Sequence, residues 1–360
     1  MKIPVLDLHA QYEPILDEIK AEIEKVYKSH WYILGPQVKE LEAEMQAYLD
    51  VKYAIGCASG SDAIVLALKA CGIGVGNEVI TTPFTFFATA GAIVRVGAKP
   101  VFADIDPDTY NLSPEAVEQA ITDKTKAIMP VHLFGQAADM DAIMDIARKH
   151  SLYVIEDNAQ GVGAKYKEHY TGAIGDIGTL SFFPSKNLGA MGDAGMCLTN
   201  NEELADRLRQ LRVHGENPKY FHKWVGLNSR LDTIQAAVLL VKLKHLSAWT
   251  EARRKNADKY FAELSDIKQL KLPFIAESNY MIYNQFTLYA ERRDELMKHL
   301  HNAGVGCAIY YPLPLHLQEC FADLGGSEGD FPVSEAAAKH VLSIPVFSEM
   351  TESQQKYIIE

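Results

Sequence analysis

The chain has 360 residues, of which 48% are hydrophobic and 23% charged. That composition excludes a mainly disordered or collagen-like chain and fits one large domain or two unequal ones. With 35 Lys and Arg against 47 Asp and Glu, the formal charge is −12, which excludes a general nucleic-acid binder or a protein held on anionic lipid, so any anionic ligand must be met by local basic residues. Five scattered cysteines, Cys57, Cys71, Cys197, Cys307 and Cys320, form no CxxC pair, and neither a disulfide framework nor a zinc site is expected. Met1 to Tyr12 carries Asp7 and His9 and lacks the pattern of a signal peptide. No apolar run approaches the roughly 18 residues needed to cross a bilayer, and the reading is a cytoplasmic protein.

Short aliphatic or β-branched runs alternate with segments of helical period through residues 1–200. This pattern predicts an α/β fold, a mostly parallel seven-stranded sheet sandwiched by helices. The expected strands are Tyr53–Cys57, Glu78–Thr82, Pro100–Asp104, Ala127–Val131, Leu152–Glu156, Gly178–Phe183 and Met196–Leu198, apolar almost throughout as strands buried on both faces should be. Helices are expected over Ser61–Cys71, Phe86–Val96, Pro114–Ala120, Met140–His150 and Glu202–Val213. His214–Ser229 then forms a loop rich in Gly, Asn, His and aromatic residues, too long for a simple connector. Helices over Leu231–Leu246 and Ala248–Leu264 lead into a region of different texture, with a strand over Asn284–Tyr289, a helix over Arg292–Asn302 and strands over Gly306–Tyr310 and Leu342–Val346. The division expected is a large domain over 1–245 and a smaller α/β domain over 246–360. Thr351 and Gln354 form a capping box for a last helix that reaches Glu360 without a terminator, the pattern of a truncated chain end.

In open parallel sheets ligands gather at the carboxyl ends of the strands, and four segments lie there. Ser59-Gly60-Ser61-Asp62 is a strand-to-helix turn whose glycine admits a close ligand and whose helix start offers free N–H groups to a phosphate; the alternative is a helix cap at Ser61 or Asp62. Asp157, with Gln160 three residues on, is a carboxylate at the mouth of a buried strand, suited to a protonated ring nitrogen and its neighbouring oxygen; the alternative is a cap on the next helix. Lys186 leaves the apolar run Ser181-Phe182-Phe183 into a turn containing Gly189, Gly192 and Gly195, where burial would lower its pKa and make a nucleophilic amine. Phe84-Thr85-Phe86-Phe87 offers a ring for stacking, although core packing is the commoner fate of such residues.

Anchorage of a phosphate, a stacking ring, an acid for a ring nitrogen and a lysine amine are together the requirements of pyridoxal 5'-phosphate. With Gly192-Asp193-Ala194-Gly195, Asn228-Ser229-Arg230-Leu231-Asp232 and Tyr311-Pro312-Leu313-Pro314 added, the chain resembles the sugar aminotransferases of the DegT or StrS family, of the aspartate-aminotransferase fold type, from Ile33 to Val346. The resemblance implies that Lys186 carries the cofactor as a Schiff base, Asp157 pairs with its ring nitrogen, Gln160 meets its ring oxygen and Phe86 stacks on its face. It assigns Gly60, Ser61 and Ser181 to the phosphate, with Asn228 reaching that phosphate from a neighbouring subunit of a homodimer. The implied reaction passes an amino group from L-glutamate through the pyridoxamine 5'-phosphate form to a nucleotide-diphosphate keto sugar, for amino-sugar synthesis in surface polysaccharide or glycoside pathways.

Between Arg212 and Arg230 four positive residues, Arg212, Lys219, Lys223 and Arg230, stand against one negative residue, Glu216, a local reversal of charge suited to a diphosphate or a carboxylate; the alternative is a solvated loop with accidental charge. Arg230 is the favoured substrate contact, with Tyr310 and Tyr311. The texture around Tyr32-Ile33-Leu34-Gly35-Pro36 and Tyr310-Tyr311-Pro312 is similar to the carbon-3 aminating group of the family, whose members acting on uronic acids can carry His at the position of Tyr310. The alternatives are a 4-keto-sugar aminotransferase of the same family and a non-enzymatic regulatory protein on the same fold. Lys186 argues against the dehydratase branch, in which histidine replaces the lysine. Gly72-Ile73-Gly74-Val75-Gly76 follows a helix and precedes a strand, the wrong context for a dinucleotide fingerprint. The 12 histidines include no HExxH pair, and no metal site is expected.

Overall fold

A computed structural model describes all residues, 1–360. Ahead of the sheet lie three helices, α1 (Leu8–Tyr12), α2 (Leu16–Ser29) and α3 (Pro36–Leu49). The sheet then grows by strand and crossover helix: β1 (Tyr53–Cys57), α4 (Gly60–Ala70), β2 (Glu78–Thr81), α5 (Ala88–Arg95), β3 (Lys99–Phe102), α6 (Pro114–Ala120), β4 (Thr125–Met129), α7 (Met140–His150) and β5 (Tyr153–Asp157). A short hairpin, β6 (Lys165–Tyr166) and β7 (His169–Tyr170), interrupts before β8 (Ile177–Ser181) and β9 (Gly195–Thr199) complete it. The seven strands lie in the order β1-β9-β8-β5-β4-β2-β3. Only β9 runs against its neighbours. It does so because residues 182–194 return directly from β8 with no crossover helix, and antiparallel neighbours need none.

Helix ends follow local chemistry. Ser59, Ser113, Asp139 and Asn201 cap α4, α6, α7 and α8 (Glu202–Leu211) by accepting backbone N–H groups. Met140, Ile143 and Ala147 give α7 its buried stripe. Helix α9 (Thr233–Leu243) is buried almost all round, and α10 (Leu246–Leu264) leads out of the region around the sheet. Beyond it come β10 (Leu270–Lys271), β11 (Asn279–Tyr280), β12 (Phe286–Ala290), α11 (Arg293–Asn302), α12 (Pro332–His340), β13 (Val341–Ile344) and α13 (Glu352–Ile359). Strands β10, β12 and β13 form a small antiparallel sheet, while β11 pairs with β6. One apolar cluster joins this part to the main sheet through Phe84, Tyr110, Val131 and Phe134, and takes in Ile3 from the amino terminus. No helix is long and apolar enough to cross a membrane.

The expected strands and helices of the sheet region are present with ends moved by at most three residues, and the Thr351–Gln354 capping box forms as expected. The helix expected from Phe86 starts at Ala88, leaving Phe86 free of it. The expected strand Gly306–Tyr310 does not form: Gly306 N–H donates to Ile3 O at 2.7 Å, and only Ala308 pairs, with Ser343. The segment is thus shared between two partners, the amino-terminal strip at Val305 and Gly306 and β13 at Ala308, and makes no continuous ladder with either.

Candidate active site

The carboxyl ends of β1, β2, β5 and β8 open on a cavity of about 550 Å³, within the size of small-molecule sites. Its lining brings together Gly60, Ser61, Phe86, Asp157, Gln160, Ser181, Lys186, Tyr310 and Tyr311. Nine residues singled out from the sequence therefore line one cavity, although they span 251 positions from Gly60 to Tyr311. Asn228 and Arg230 stand outside it within one chain: Asn228 is exposed and its backbone pairs with Val213, while Arg230 is half-buried with a partnerless Nε.

At one end of the cavity the turn into α4 is shaped by close backbone approach. A Cβ on Gly60 would lie 2.6 Å from Ser181 Cβ, and one on Gly195 would lie 2.3 Å from Ser59 O, so neither position has room for a side chain. The cap of α4 is Ser59, whose Oγ accepts from Asp62 N at 3.1 Å. Neither Ser61 nor Asp62 is the cap, and Ser61 faces the cavity instead. The first N–H groups of an 11-residue helix, with the Ser61 and Ser181 hydroxyls, make a cradle for a phosphate.

Asp157 closes β5 and is buried. Its Oδ2 accepts from Thr89 Oγ1 at 2.7 Å and its Oδ1 from Ala159 N at 3.2 Å. With its one proton committed to Asp157, Thr89 accepts from Thr85 at 3.1 Å. No cation lies within ion-pair distance, and burial pushes the Asp157 carboxyl above its usual range against the pull of Thr89, Ala159 and Lys186. A buried carboxylate without a cation is costly, and a protonated ring nitrogen placed beside it would relieve that cost. Behind it, His132 Nδ1 accepts from Ala138 N, which leaves Nε2 to donate to Glu156 at 2.8 Å. Glu156 is fully buried; burial would raise its pKa, but His132 and the N–H groups of Gly172 and Gly175 outweigh this and hold it low.

Lys186 lies in the return from β8 to β9, half-buried, and its Nζ makes no hydrogen bond or ion pair. Burial lowers its pKa from 10.5 to about 8, opposed by Asp157. Gln160 is pinned at both ends, Oε1 accepting from Phe134 N at 2.7 Å and Nε2 donating to Tyr311 Oη at 3.0 Å. Tyr311 also lies 6.1 Å from the Phe86 ring, centre to centre. It therefore sits beside the residues expected to hold a cofactor ring. Burial raises its hydroxyl pKa, with Asp157 adding to the rise.

The pyridoxal phosphate requirements fit these residues: a cradle at Gly60, a buried carboxylate without a cation, an aromatic face and an amine without a partner. Sequence reasoning missed Thr85, Thr89, His132 and Gln285. A lone hydroxyl in the apolar helix start Ala88-Thr89-Ala90 was the available signal for Thr89; nothing local marks the others. The basic loop needs correction, since Arg212 is not available to a ligand. It is buried and its Nη1 donates to Glu42 at 2.6 Å and Gly56 O at 2.7 Å. Lys219 and Lys223 lie over the Tyr220 and Trp224 rings on the exposed part of the loop.

Fold and site together define a pyridoxal phosphate enzyme of the aminotransferase kind. The chain belongs to the DegT/DnrJ/EryC1/StrS aminotransferase family, whose model matches residues 14–360. It is 53% identical to the pleiotropic regulatory protein of Geobacillus stearothermophilus, over 100% of this chain and 97% of that protein. It is 46% identical to a UDP-N-acetyl-3-dehydro-alpha-D-glucosamine 3-aminotransferase of Acidithiobacillus ferrooxidans, over 98% and 95% of the two chains. Among solved structures it is similar to S. venezuelae DesV in complex with a ketimine intermediate, with a TM-score of 0.98, 42% identity and coverage of 99% and 96%.

Proposed function

We propose that the protein transfers the amino group of L-glutamate to the ketone of a UDP- or dTDP-linked 3-keto hexose. The observation that carries this reading is the pairing, across one cavity, of a buried carboxylate without a cation and a lysine amine without a partner. The relative that aminates a 3-dehydro sugar nucleotide supports the choice of carbon 3.

When bound, pyridoxal phosphate supplies a carbon that takes and returns the amino group and a protonated ring that draws in negative charge. The Gly60 turn and the Ser61 and Ser181 hydroxyls hold its phosphate, and Phe86 covers its ring. Asp157 keeps a proton on the ring nitrogen, oriented by Thr89 and Ala159. Gln160, fixed by Phe134 and Tyr311, has one Nε2 hydrogen left for the ring oxygen. Lys186 Nζ, unpartnered in the cavity, would take up and give back the proton of the substrate carbon, and a pKa near 8 suits it to both directions at neutral pH.

The reading includes a homodimer. Tyr220, Phe221 and Val225 are exposed by 77%, 69% and 86%, an apolar surface that a second subunit would cover, and Asn228 and Arg230 would serve the partner's cavity from that loop. In this division 1–245 binds the cofactor, and 246–360, which brings Gln285, Tyr310 and Tyr311, closes over it. The regulatory name of the 53% identical relative favours a second reading, a regulator on this fold; the intact lysine and carboxylate favour the enzyme.

The test is a reaction of the cofactor-loaded protein with L-glutamate and a panel of UDP- and dTDP-linked 3-keto and 4-keto sugars. The expected result is loss of the yellow absorbance with glutamate and amination of a 3-keto sugar. A colourless protein that takes up no cofactor, or amination of 4-keto sugars alone, would overturn the respective part of the reading.

A further inference from the structure

A second, smaller cavity of about 50 Å³ adjoins the first and shares Ser185, Gln285 and Tyr310 with it. Its deep wall carries Arg253 of α10, a residue 3% exposed. A guanidinium has five N–H donors, and this one makes a single hydrogen bond, Nη1 donating to Tyr283 O at 3.3 Å. No carboxylate lies within ion-pair distance. Glu349 is the acid whose field reaches it, and that residue also faces the buried amine of Lys242. Burial lowers the Arg253 pKa to about 10, so it remains a cation at neutral pH. Buried arginines are ordinarily paired, because an uncompensated charge away from water is expensive. Gln285, between the two cavities, adds an amide without a protein partner, its Oε1 buried and unbonded.

We propose that Arg253 is the anchor for a carboxylate of the amino donor, held in the small cavity while the donor's amino group lies in the large one. This rests on the donor named under the proposed function. The arrangement fits an amino acid in size and charge. The small cavity has room for a carboxylate but not for a sugar ring, the guanidinium matches a carboxylate in a two-point fork, and Ser185 places the cavity one residue from Lys186. Gln285, turned about its last torsion, presents Nε2 to the same group. Bracing Tyr283 O alone would use one of the five donors.

The test is the donor half-reaction of the cofactor-loaded enzyme in single turnover, followed by cofactor absorbance, for wild type, Arg253→Met and Arg253→Lys. L-glutamate is compared with 4-aminobutyrate, which lacks the carboxylate beside the amine, and L-2-aminobutyrate, which lacks the distal one. In the wild type, removing one of the two carboxylates should cost about a hundredfold in the apparent second-order rate constant, the scale of a charged hydrogen-bonded pair. In Arg253→Met glutamate should fall to that lower level, removal of the same carboxylate should cost nothing further, and Arg253→Lys should recover part of the loss. Because a buried arginine can also support folding, glutarate binding to wild type, Arg253→Lys and Gln285→Ala by calorimetry gives a second readout, with weaker binding expected in both variants. Undiminished discrimination between glutamate and its analogues in Arg253→Met, or unchanged glutarate affinity, would overturn the proposal. So would a loss confined to the pyridoxamine form meeting a keto sugar that carries a carboxylate, which would make the sugar the source. If the wild type reacts with a different amino acid and not with glutamate, the donor assignment falls, and the Arg253 comparison is made with that amino acid and its decarboxylated amine.

Discussion

Lys186 and Lys242 are both amines drawn far below the usual lysine range by burial, to about 8 and about 7, and neither has a carboxylate within ion-pair distance. Their surroundings differ. Lys186 lies in the return between β8 and β9, lines a cavity, touches no polar partner and shares the space with Asp157. Lys242 is fully buried in α9, donates to Tyr12 Oη at 3.0 Å, and lies 4.2 Å from the Tyr12 ring centre and 5.7 Å from that of Trp249. A depressed amine pKa is therefore common to a reactive lysine and a packed one. What separates them is open volume beside the nitrogen and an acid placed to act on the same ligand.

The largest expected effect breaks the pair apart: Lys186→Ala should lower amino transfer by about 10³-fold or more, while Lys242→Met should leave the rate within a few-fold, both measured in steady state. Asp157→Asn keeps the shape but loses the charge that holds a proton on the ring nitrogen, and should cost about 10²-fold in kcat. A rate near wild type would show that the carboxylate is structural. Gly60→Ala drives a Cβ toward Ser181 and should weaken cofactor affinity by about tenfold, as expected for losing one to two kcal/mol of binding; fluorescence titration of the apoprotein reads it.

The pH behaviour sharpens the contrast. Lys186 is a nucleophile only when unprotonated, so cofactor uptake by the apoprotein should rise with pH to a midpoint near 8; a midpoint near 10 would remove the effect of burial. For Lys242 the sign concerns stability. Its folded pKa is about 7 and its unfolded one 10.5, so between these values the unfolded chain binds more protons and stability rises with pH. Lys242→Met should therefore stabilise by about 1 kcal/mol at or below pH 7, and by progressively less toward pH 10, in thermal unfolding. Tyr12 Oη retains Ala190 O, at 3.2 Å, as an acceptor in that variant.

Much of this was legible in the sequence because the sheet strands are buried on both faces and read as apolar runs, so that the polar residues that follow them stand out, even where one of them, Ser59, serves as a helix cap. Asp157, Lys186 and the Gly60 turn were found in that way. The first 50 residues were not read as helices, although Pro36 at a helix start and the spacing of Val38, Leu41, Met45 and Leu49 would have marked α3. A charge count along the loop includes Arg212 among its free cations because it does not reveal a buried acid 170 positions away, at Glu42. Thr89 on Asp157, His132 on Glu156 and Arg253 beside Gln285 depend on the crossing of distant elements, which no local pattern encodes.

The most direct test of the central claim is borohydride reduction of the cofactor-loaded protein followed by peptide mass mapping. The account predicts one pyridoxyl-phosphate adduct, on the peptide containing Lys186, and none on that containing Lys242. Label on another lysine, or no adduct at all, would contradict it.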